Sequence, residues 1–419
     1  MAKRKFLIAG GGIGGLTTAL ALNRLGVEVK VFESVHDVAP LGVGINLLPH
    51  AVRVLSDLGV EPQLAAIGLP TAELIYFSKH GKLIWREPRG RDAGYQWPQY
   101  SIHRGRLQLM LLDTVRSRLG PDSVHTGHHL QSFESDANQV KVVFVDRRTG
   151  ATVAVETGDA LIGADGIHSE VRRTFYPNEG SPPFSGRMLW RAVSEAPPYL
   201  TGRSMIMAGH ANQKFVAYPI AHSEQPGLTV INWIAELNLG PEAALPKRDW
   251  NQRVEKGKFA SAFASWRFDW LDVPAIISAA KEVFEFPMVD RDPLRQWTFG
   301  RVTLLGDAAH PMYPIGSNGA SQAIVDAAAL AEILQKESDV ETALRDYESR
   351  RLGPTSAIVL RNRQMGPEIV MQMAEDRAPN GFNVIEDVIS RAELVEIANS
   401  YKVTAGFDLA SLNRAADRT

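Results

Sequence analysis

The sequence predicts a mixed α/β protein, in which a Rossmann-like unit is combined with an inserted antiparallel sheet and C-terminal helices. Three observations predict this fold. A short apolar strand, a glycine-rich turn and an apolar helix follow one another in residues 5–25. Within 181–295, the stretches MLWRAV, KFVAYPI and LTVINWIAE alternate as half-buried strands do. Residues 355–419 have helical spacing and no repeat of solenoid period.

Composition excludes several classes of protein and site. The 419 residues are 45% hydrophobic and 22% charged, with a formal net charge of −2 and no cysteine. Without cysteine there is no disulfide, thiolate nucleophile, iron–sulfur cluster or zinc–thiolate site, and we expect a cytoplasmic protein without a metal. The near-neutral charge and the lack of a long apolar run predict no nucleic-acid or membrane partner. The oligomeric state stays open.

The first motif predicts a bound dinucleotide. Gly10, Gly12 and Gly15 fit G-x-G-x-x-G between a strand (5–9) and a helix (13–25). This spacing permits a tight turn, a close approach of backbone to pyrophosphate, and close helix packing. Glu33 ends the next strand (28–33), where an acid bonds a ribose hydroxyl, which favours FAD or NAD over NADP. The predicted contacts are Gly10, Gly12, Ile13, Gly14, Gly15, Glu33 and Ser34.

Two later motifs favour FAD over NAD. Residues 161–172 (LIGADGIHSEVR) and 301–322 (RVTLLGDAAHPMYPIGSNGASQ) each run from a strand through glycine and aspartate into a turn. A fixed carboxylate such as Asp307 can accept hydrogen bonds from the ribityl hydroxyls of FAD. The helix that starts near Asn318–Ala320 can direct its N-terminal dipole at a reduced flavin. The alternative for each aspartate is a helix cap.

These motifs together carry a family resemblance. With GGGIGGL (10–16), PLGVGIN (40–46), SIHRGRLQ (101–108), GADGIHSEVR (163–172) and GRVTLLGDAAHPMYP (300–314), the chain resembles the single-component FAD-dependent aromatic monooxygenases that share the p-hydroxybenzoate hydroxylase fold. Within that family it is most similar to enzymes of phenazine carboxylates, through EPRG (87–90), PQYSIHRG (98–105) and MVDRDPL (288–294). The stretch IGSNGASQA (315–323) departs from the commoner Gly-Gln-Gly-Ala-Asn.

The resemblance implies cofactors, contacts and a reaction. It adds Gly44, Arg104, Asp307, Gly319 and Ala320 as FAD contacts. It also assigns Asp165 and Arg172 to a motif that serves both the FAD pyrophosphate and the docking of NADH or NADPH, which binds transiently in a shared cleft. The implied reaction is hydroxylation by O2 of a small planar aromatic or N-heteroaromatic substrate, phenazine- or salicylate-like and carboxylated, through a C4a-hydroperoxyflavin. Carbon dioxide leaves where the target carbon bears the carboxylate.

Other activities remain compatible with the motifs. Epoxidation, Baeyer–Villiger oxidation and flavin-dependent reduction use the same fold, as would a non-catalytic flavin-binding sensor. Halogenation is disfavoured because the sequence lacks Trp-x-Trp-x-Ile-Pro.

The motif positions predict a discontinuous architecture. We expect an FAD-binding domain from 1–70, 101–180 and 296–354, a substrate domain from 71–100 and 181–295, and a C-terminal helical segment from 355–419.

The substrate side gives weaker predictions. Trp190, Tyr218 and Trp233 are either cavity walls or core aromatics. Arg191 follows Trp190 on one strand, so the two side chains point to opposite faces. Arg191 is a candidate for bidentate carboxylate binding, or else forms a salt bridge on the sheet surface. Pro314 is expected beside the substrate, and His50 is the candidate general base, although the cofactor chemistry needs none.

Overall fold

The protein is described by a computed structural model that covers residues 4–40, 43–240 and 252–416. Leu41 and Gly42 of the PLGVGIN motif therefore lie outside the described residues, as does the stretch 241–251 of the predicted substrate domain.

Strands and helices alternate in the first third of the chain, strands dominate the middle, and helices dominate the end. In the described ranges the strands are β1 (Lys5–Ala9), β2 (Glu28–Phe32), β3 (Gly44–Leu47), β4 (Gly68–Pro70), β5 (Glu73–Phe77), β6 (Leu83–Pro88), β7 (Tyr100–His103), β8 (Val124–His125), β9 (His129–Ser135), β10 (Val140–Val145), β11 (Thr152–Gly158), β12 (Ala160–Gly163), β13 (Phe184–Ala196), β14 (Ser204–His210), β15 (Gln213–His222), β16 (Thr229–Asn238), β17 (Gln252–Arg253), β18 (Arg267–Phe268), β19 (Leu271–Asp272), β20 (Val283–Val289) and β21 (Val302–Leu304). The helices of the same ranges are α1 (Ile13–Asn23), α2 (Pro49–Asp57), α3 (Glu61–Ile67), α4 (Arg104–Leu119), α5 (Glu170–Phe175), α6 (Val273–Ala279), α7 (Gly319–Lys336), α8 (Val340–Arg363), α9 (Ile369–Arg377), α10 (Arg391–Thr404) and α11 (Leu409–Ala416).

A parallel sheet carries the dinucleotide-type motifs. Its strand order is β21-β12-β1-β2-β8, and Ile8 pairs with Ile162 on one side and Val31 on the other. Helix α1 packs against both α4 and α7. A Cβ on Gly15 would lie 2.0 Å from the Gly10 carbonyl oxygen, so only glycine permits this close approach of helix to turn. The strands β1, β12 and β21 deliver their motifs to the same carboxyl edge.

A second, larger sheet lies over that edge. Its strand order is β17-β20-β13-β16-β15-β14-β5-β6, and neighbouring strands are antiparallel except β14 and β5. Arg191 pairs with Ile234, Ile234 with Val216, and Val216 with Met207, so these four side chains lie in one row on one face. The mixed α/β class with an antiparallel sheet is confirmed.

Smaller sheets complete the fold. β3, β7 and β4 form one, β11, β10 and β9 a second, and β18 and β19 a third. No helix within the described ranges is both long enough and apolar enough to cross a lipid bilayer.

The domain division stays a prediction, with one correction. All strands of the parallel sheet come from the segments assigned to FAD binding, and all strands of the larger sheet come from those assigned to the substrate. Helix α8, however, runs through Pro354 to Arg363, so the chain has no break at 354/355. The C-terminal helical segment therefore begins after Arg363.

Candidate active site

A cavity lies between the larger sheet and the loop that leads into α7. The sheet contributes one face of β13, β14, β15 and β16. The opposite wall comes from β3 and from the segment 307–320. The lining residues are Gly44, Ile45, Asn46, Leu189, Arg191, Met205, Met207, Lys214, Val216, Tyr218, Ile234, Glu236, Asp307, Met312, Pro314, Ile315, Ser317, Asn318, Gly319, Ala320 and Glu368.

The glycine turn after β1 is shaped for a phosphate. Gly10 has a left-handed φ of 106°, and a Cβ there would lie 2.3 Å from the Ala164 carbonyl oxygen. Gly12 precedes α1, and apart from Gly12 and its two chain neighbours no described residue has an atom within 4 Å of where its Cβ would stand. Glu33 accepts a hydrogen bond from the Gly11 backbone N–H at 2.8 Å through Oε2. The Ser34 hydroxyl donates to Oε1 at 3.1 Å.

These contacts hold the turn open at the N-terminus of α1, where Ile13 begins the helix and Gly14 packs near Leu305. Backbone N–H groups at a helix N-terminus bind anions.

Asp307 faces the cavity from the turn after β21. Gly306 adopts φ 61° and aims the next side chain outward, so Asp307 is exposed to the cavity. A Cβ on Gly319, the first residue of α7, would lie 3.9 Å from Asp307 Oδ1. The protein around Asp307 raises its pKa by desolvation, and Arg104 at the start of α4 opposes that shift. Asp307 caps no helix in the described part of the chain, which leaves the carboxylate available to a ligand.

A buried ion network supports this turn from behind. His310 Nε2 lies 2.6 Å from Asp326 Oδ2, and the Arg351 Nε donates to Asp326 Oδ1 at 2.6 Å. The backbone N–H of Gly306 also donates to Asp326, at 3.1 Å. Although burial opposes it, His310 and Arg351 lower the pKa of Asp326 to about 2. The turn that presents Asp307 is therefore held by charge-assisted bonds in the interior.

Taken together, these groups fit FAD. The open space at Gly12 suits a pyrophosphate, Glu33 lies beside it, and Asp307 with the first N–H groups of α7 stands at the far end where a ring system would lie. Gly319 and Ala320 line that end.

Asp165 and Arg172 have protein partners instead. Asp165 Oδ2 accepts the backbone N–H groups of Glu170 at 2.8 Å and Val171 at 3.3 Å, and burial raises its pKa to about 6. Arg172 is 1% exposed, pairs with Glu179, and donates to the Ala309 carbonyl at 3.0 Å. The role of Arg172 as a phosphate contact is therefore corrected: its guanidinium ties α5 to the turn of Asp307. Asp165 binds the first turn of α5, whose N-cap is Ser169, and the Asp165 Oδ1 has no partner in the described ranges.

Arg191 is the cation that the cavity presents to a ligand. Its Nη2 donates to the Gly44 carbonyl at 3.0 Å, and its guanidinium lies 5.6 Å from the Phe286 ring centroid. Its Nε is buried without a partner, and no carboxylate of the described residues pairs with it. Burial lowers the pKa of Arg191, but an arginine remains charged in proteins.

Tyr218 lies beside Arg191. Its hydroxyl donates to the same Gly44 carbonyl at 2.8 Å, and burial raises its pKa to about 12. Tyr218 is therefore a protonated donor at neutral pH. It braces the Gly44 backbone.

At the other end of the cavity, Lys214 is neutralised by protein. Its Nζ lies 2.8 Å from Glu236 and 2.6 Å from Glu368, and all three side chains are buried. Burial opposes the ammonium charge, but the two carboxylates raise the pKa of Lys214. Arg187 lies 3.8 Å from Glu236, so two cations face two carboxylates there. This end offers no uncompensated charge.

The structure places three candidate residues of the substrate side outside the cavity. Trp190 donates to Glu285 at 2.8 Å and stacks on Phe259, and Trp233 donates to Ser194 at 2.9 Å. Both are core aromatics on the face opposite the cavity. His50 does not line the cavity: it stacks on Phe407, and burial with nearby arginines lowers its pKa to about 3, which disqualifies it as a base at neutral pH.

Comparison with known proteins settles the family. A family model described as an FAD binding domain matches residues 3–362. This chain belongs to that family. Phenazine 1,6-dicarboxylic acid hydroxylase PhzS of Lysobacter antibioticus is 43% identical over 399 residues, which cover 94% of this chain and 96% of that protein. 3-Hydroxybenzoate 6-hydroxylase of Polaromonas naphthalenivorans is 32% identical over 367 residues, 86% of each.

Solved structures show the same fold. A salicylate hydroxylase substrate complex aligns with a TM-score of 0.75 and 22% identity, covering 98% of this chain and 97% of that one. HpxO of Klebsiella pneumoniae, complexed with FAD and uric acid, aligns with a TM-score of 0.74 and 22% identity over 96% of both chains. The protein is thus an FAD-dependent aromatic monooxygenase, as the sequence motifs indicated.

Several cavity residues are missed by sequence reasoning. Lys214, Glu236 and Glu368 are the charged ones, and the apolar ones include Met205 and Met207. Lys214 alternates with Val216 and Tyr218 in KFVAYPI, so its placement follows once Tyr218 is known to face the cavity. Glu368 comes from a distant turn and carries no such signal.

Asp307→Ala tests the carboxylate at the ring end of the cofactor site. We expect the variant to be purified with less than about a tenth of the wild-type flavin, because charge-assisted bonds to the ribityl hydroxyls are lost. Flavin per protein, measured by absorbance after denaturation, checks this. Asp292→Ala is the control, since that carboxylate is 82% exposed and pairs only with Arg363. Full flavin occupancy in Asp307→Ala would show that the Asp307 carboxylate is not needed to hold FAD.

Asp326→Asn tests the network behind the turn. The change leaves buried Arg351 without a carboxylate, so we expect a loss of about 3–5 kcal/mol in unfolding free energy. The matched control, Glu332→Gln, breaks an exposed pair with Arg350 on the same two helices and should cost about 0–1 kcal/mol.

The pH dependence of the Asp326→Asn effect has a definite sign. Because folding lowers the pKa of Asp326 from 3.8 to about 2, its stabilisation is complete above pH about 4 and is lost as the pH falls towards 2. The difference between wild type and variant in denaturant melts should therefore shrink over that range. A difference independent of pH there would contradict the assignment.

Proposed function

We propose that this monooxygenase hydroxylates a planar aromatic or N-heteroaromatic carboxylate, phenazine-like in size, with NADH or NADPH as reductant. The observation that carries the proposal is Arg191: a guanidinium without a carboxylate partner in the described residues, which lines the cavity next to the cofactor end. A planar bidentate donor matches a carboxylate, and an unpaired buried charge is stabilised by an anionic ligand.

The shape of the cavity floor favours a fused ring over a single one. The row of Arg191, Ile234, Val216 and Met207 crosses three strand spacings, about 14 Å. Beyond the guanidinium the row is apolar, which suits a ring face. A salicylate-like acid would occupy only the half next to Arg191.

The chain's own groups position the substrate and keep it dry. Arg191 would hold the carboxylate, while the methionine and aliphatic side chains of β14, β15 and β16 contact the ring and exclude water. Pro314, Ile315 and Ala320 close the cavity from the cofactor side. Bound FAD supplies the redox chemistry, taking electrons from NAD(P)H and activating O2.

Among the described residues, the titratable groups on the sheet side of the cavity are not free to act as a base. Tyr218 stays protonated, and both Glu236 and Glu368 are engaged by Lys214. Hydroxylation with loss of carbon dioxide requires the target carbon to bear the carboxylate that Arg191 holds, and we include it in the proposal. A cytoplasmic location is also part of the proposal, supported by the cysteine-free sequence.

The reductant needs its own docking surface. A cleft beside α5 is lined by Arg147, Arg172, Arg173 and Arg291 and by the carboxylates Glu170 and Glu179, and it adjoins the GADGIHSEVR motif. The excess of arginines over carboxylates in this cleft supports transient binding of the NAD(P)H phosphates there.

Substrate-stimulated oxidation of NAD(P)H tests the proposal. The purified enzyme is assayed with phenazine carboxylates, salicylates and the decarboxylated analogue of each acid, and product mass and peroxide are followed in parallel. We expect stimulation by a fused-ring acid and a product that has gained oxygen, with or without loss of carbon dioxide. If the product instead has oxygen inserted into the ring, is an epoxide or is a reduced substrate, the reaction is Baeyer–Villiger oxidation, epoxidation or reduction and not hydroxylation.

Arg191→Gln tests the carboxylate contact within the same assay. We expect kcat/KM for the acid to fall about 100-fold or more, and that for the decarboxylated analogue to change less than about fivefold. Arg203→Gln is the control, because this arginine is exposed and pairs with Asp92 away from the cavity. Equal losses of kcat/KM for the acid and its decarboxylated analogue would show that Arg191 does not bind the carboxylate.

A further inference from the structure

The loop before α7 has an unusual backbone. Gly316 and Ser317 are consecutive residues in the left-handed region, with φ values of 66° and 59°. A serine in this region costs of order 1 kcal/mol, and such strain persists only where the surroundings impose it. Ser317 lines the cavity between Ile315 and Asn318, so the strain is kept at the boundary between substrate space and cofactor end.

Tyr401 of α10 holds the loop from outside. Its hydroxyl accepts a hydrogen bond from Asn318 Nδ2 at 2.8 Å, and its oxygen lies 2.8 Å from Asn362 Oδ1 and 3.2 Å from the Ile315 carbonyl. Its ring packs directly on Gly316: a Cβ there would lie 2.0 Å from the Tyr401 oxygen. All three polar side chains of this network are buried.

The opposite side of the loop is held by the cavity wall. The Glu368 carboxylate accepts the backbone N–H of Gly316 and also binds the Lys214 ammonium at 2.6 Å. The loop is therefore clamped between α10 and the larger sheet. The end of this loop is Asn318, which precedes Gly319 and the first N–H groups of α7.

We propose that Tyr401 is a positioning residue for catalysis: it fixes the loop Ile315–Asn318, and through it the N-terminus of α7, against the cofactor. Its effect on turnover rests on the proposed function. In productive turnover, substrate, O2, NAD(P)H and a proton give hydroxylated substrate, NAD(P)⁺ and water. When the loop is loose and water enters, O2, NAD(P)H and a proton give NAD(P)⁺ and hydrogen peroxide, and the substrate is unchanged.

Tyr401→Phe removes only the hydroxyl and keeps the ring on Gly316. We expect backbone amides of 315–322 to exchange with deuterium about tenfold faster, the loss expected from removing this buried hydrogen bonding. We also expect a several-fold rise in peroxide per NAD(P)H consumed and an altered visible spectrum of the bound flavin. Asn318→Ala, which removes the loop's side of the same contact, should reproduce these changes.

Tyr95→Phe is the matched control. Like the Tyr401 hydroxyl, the Tyr95 hydroxyl is buried and forms a hydrogen bond that involves the C-terminal helical segment. It donates to the Phe407 carbonyl at 2.6 Å. The control should leave exchange in 315–322 and the peroxide ratio at wild-type values, whatever it costs in global stability.

The positioning role would be overturned if Tyr401→Phe and Tyr95→Phe had the same amide exchange in 315–322 and the same peroxide per NAD(P)H consumed. Failure of the proposed function can be distinguished from failure of the positioning role, because it would be seen as a lack of substrate-stimulated NAD(P)H oxidation in the wild type. Amide exchange and the flavin spectrum still decide the role of Tyr401 in that case.

Discussion

The alternation of side chains between the two faces of β13, β15 and β16 determines which residues face the substrate cavity. Side chains of successive residues point to opposite faces, and the antiparallel register aligns one face across the sheet. The face with Trp190 and Trp233 is packed against Phe259 and becomes core. The other face must then carry Arg191 and Tyr218 towards the cofactor. A slip of one residue would bury the guanidinium in the core and expose the tryptophans.

The cofactor side depends on the ends of the parallel strands and on the glycines of the turns that follow them. Three strands of the parallel sheet end at one edge, and their turns use glycine where backbone must approach backbone closely. Carboxylates at that edge divide into two roles. Asp165 and Asp326 are bound by protein groups and hold the turns, whereas Asp307 is held out towards the ligand. Asp165 and Asp307 come from similar motifs, but backbone N–H groups of α5 bind Asp165, whereas the Asp307 side chain lines the cavity.

Much of the cofactor side is predictable from sequence, and much of the substrate side is not. The glycines, Glu33 and Asp307 belong to local motifs, in which strand, turn and helix follow within a few residues. The cavity face depends on register between strands distant in sequence, so Trp233 and Arg191 could not be sorted without it. Glu368 and Tyr401 come from turns and helices far along the chain and have no local signature. Arg172 matched its motif, but its role was set by Glu179 and the Ala309 carbonyl.

The proposed function places the substrate carboxylate at Arg191 and the aromatic ring against the loop before α7, within one cavity. A crystal structure of the FAD-loaded enzyme with an aromatic acid would show both contacts. We predict both carboxylate oxygens within hydrogen-bonding distance of the Arg191 guanidinium, with Lys214 still bound by Glu236 and Glu368. An acid whose carboxylate lies at Lys214, or that binds outside this cavity, would show that Arg191 does not anchor the substrate.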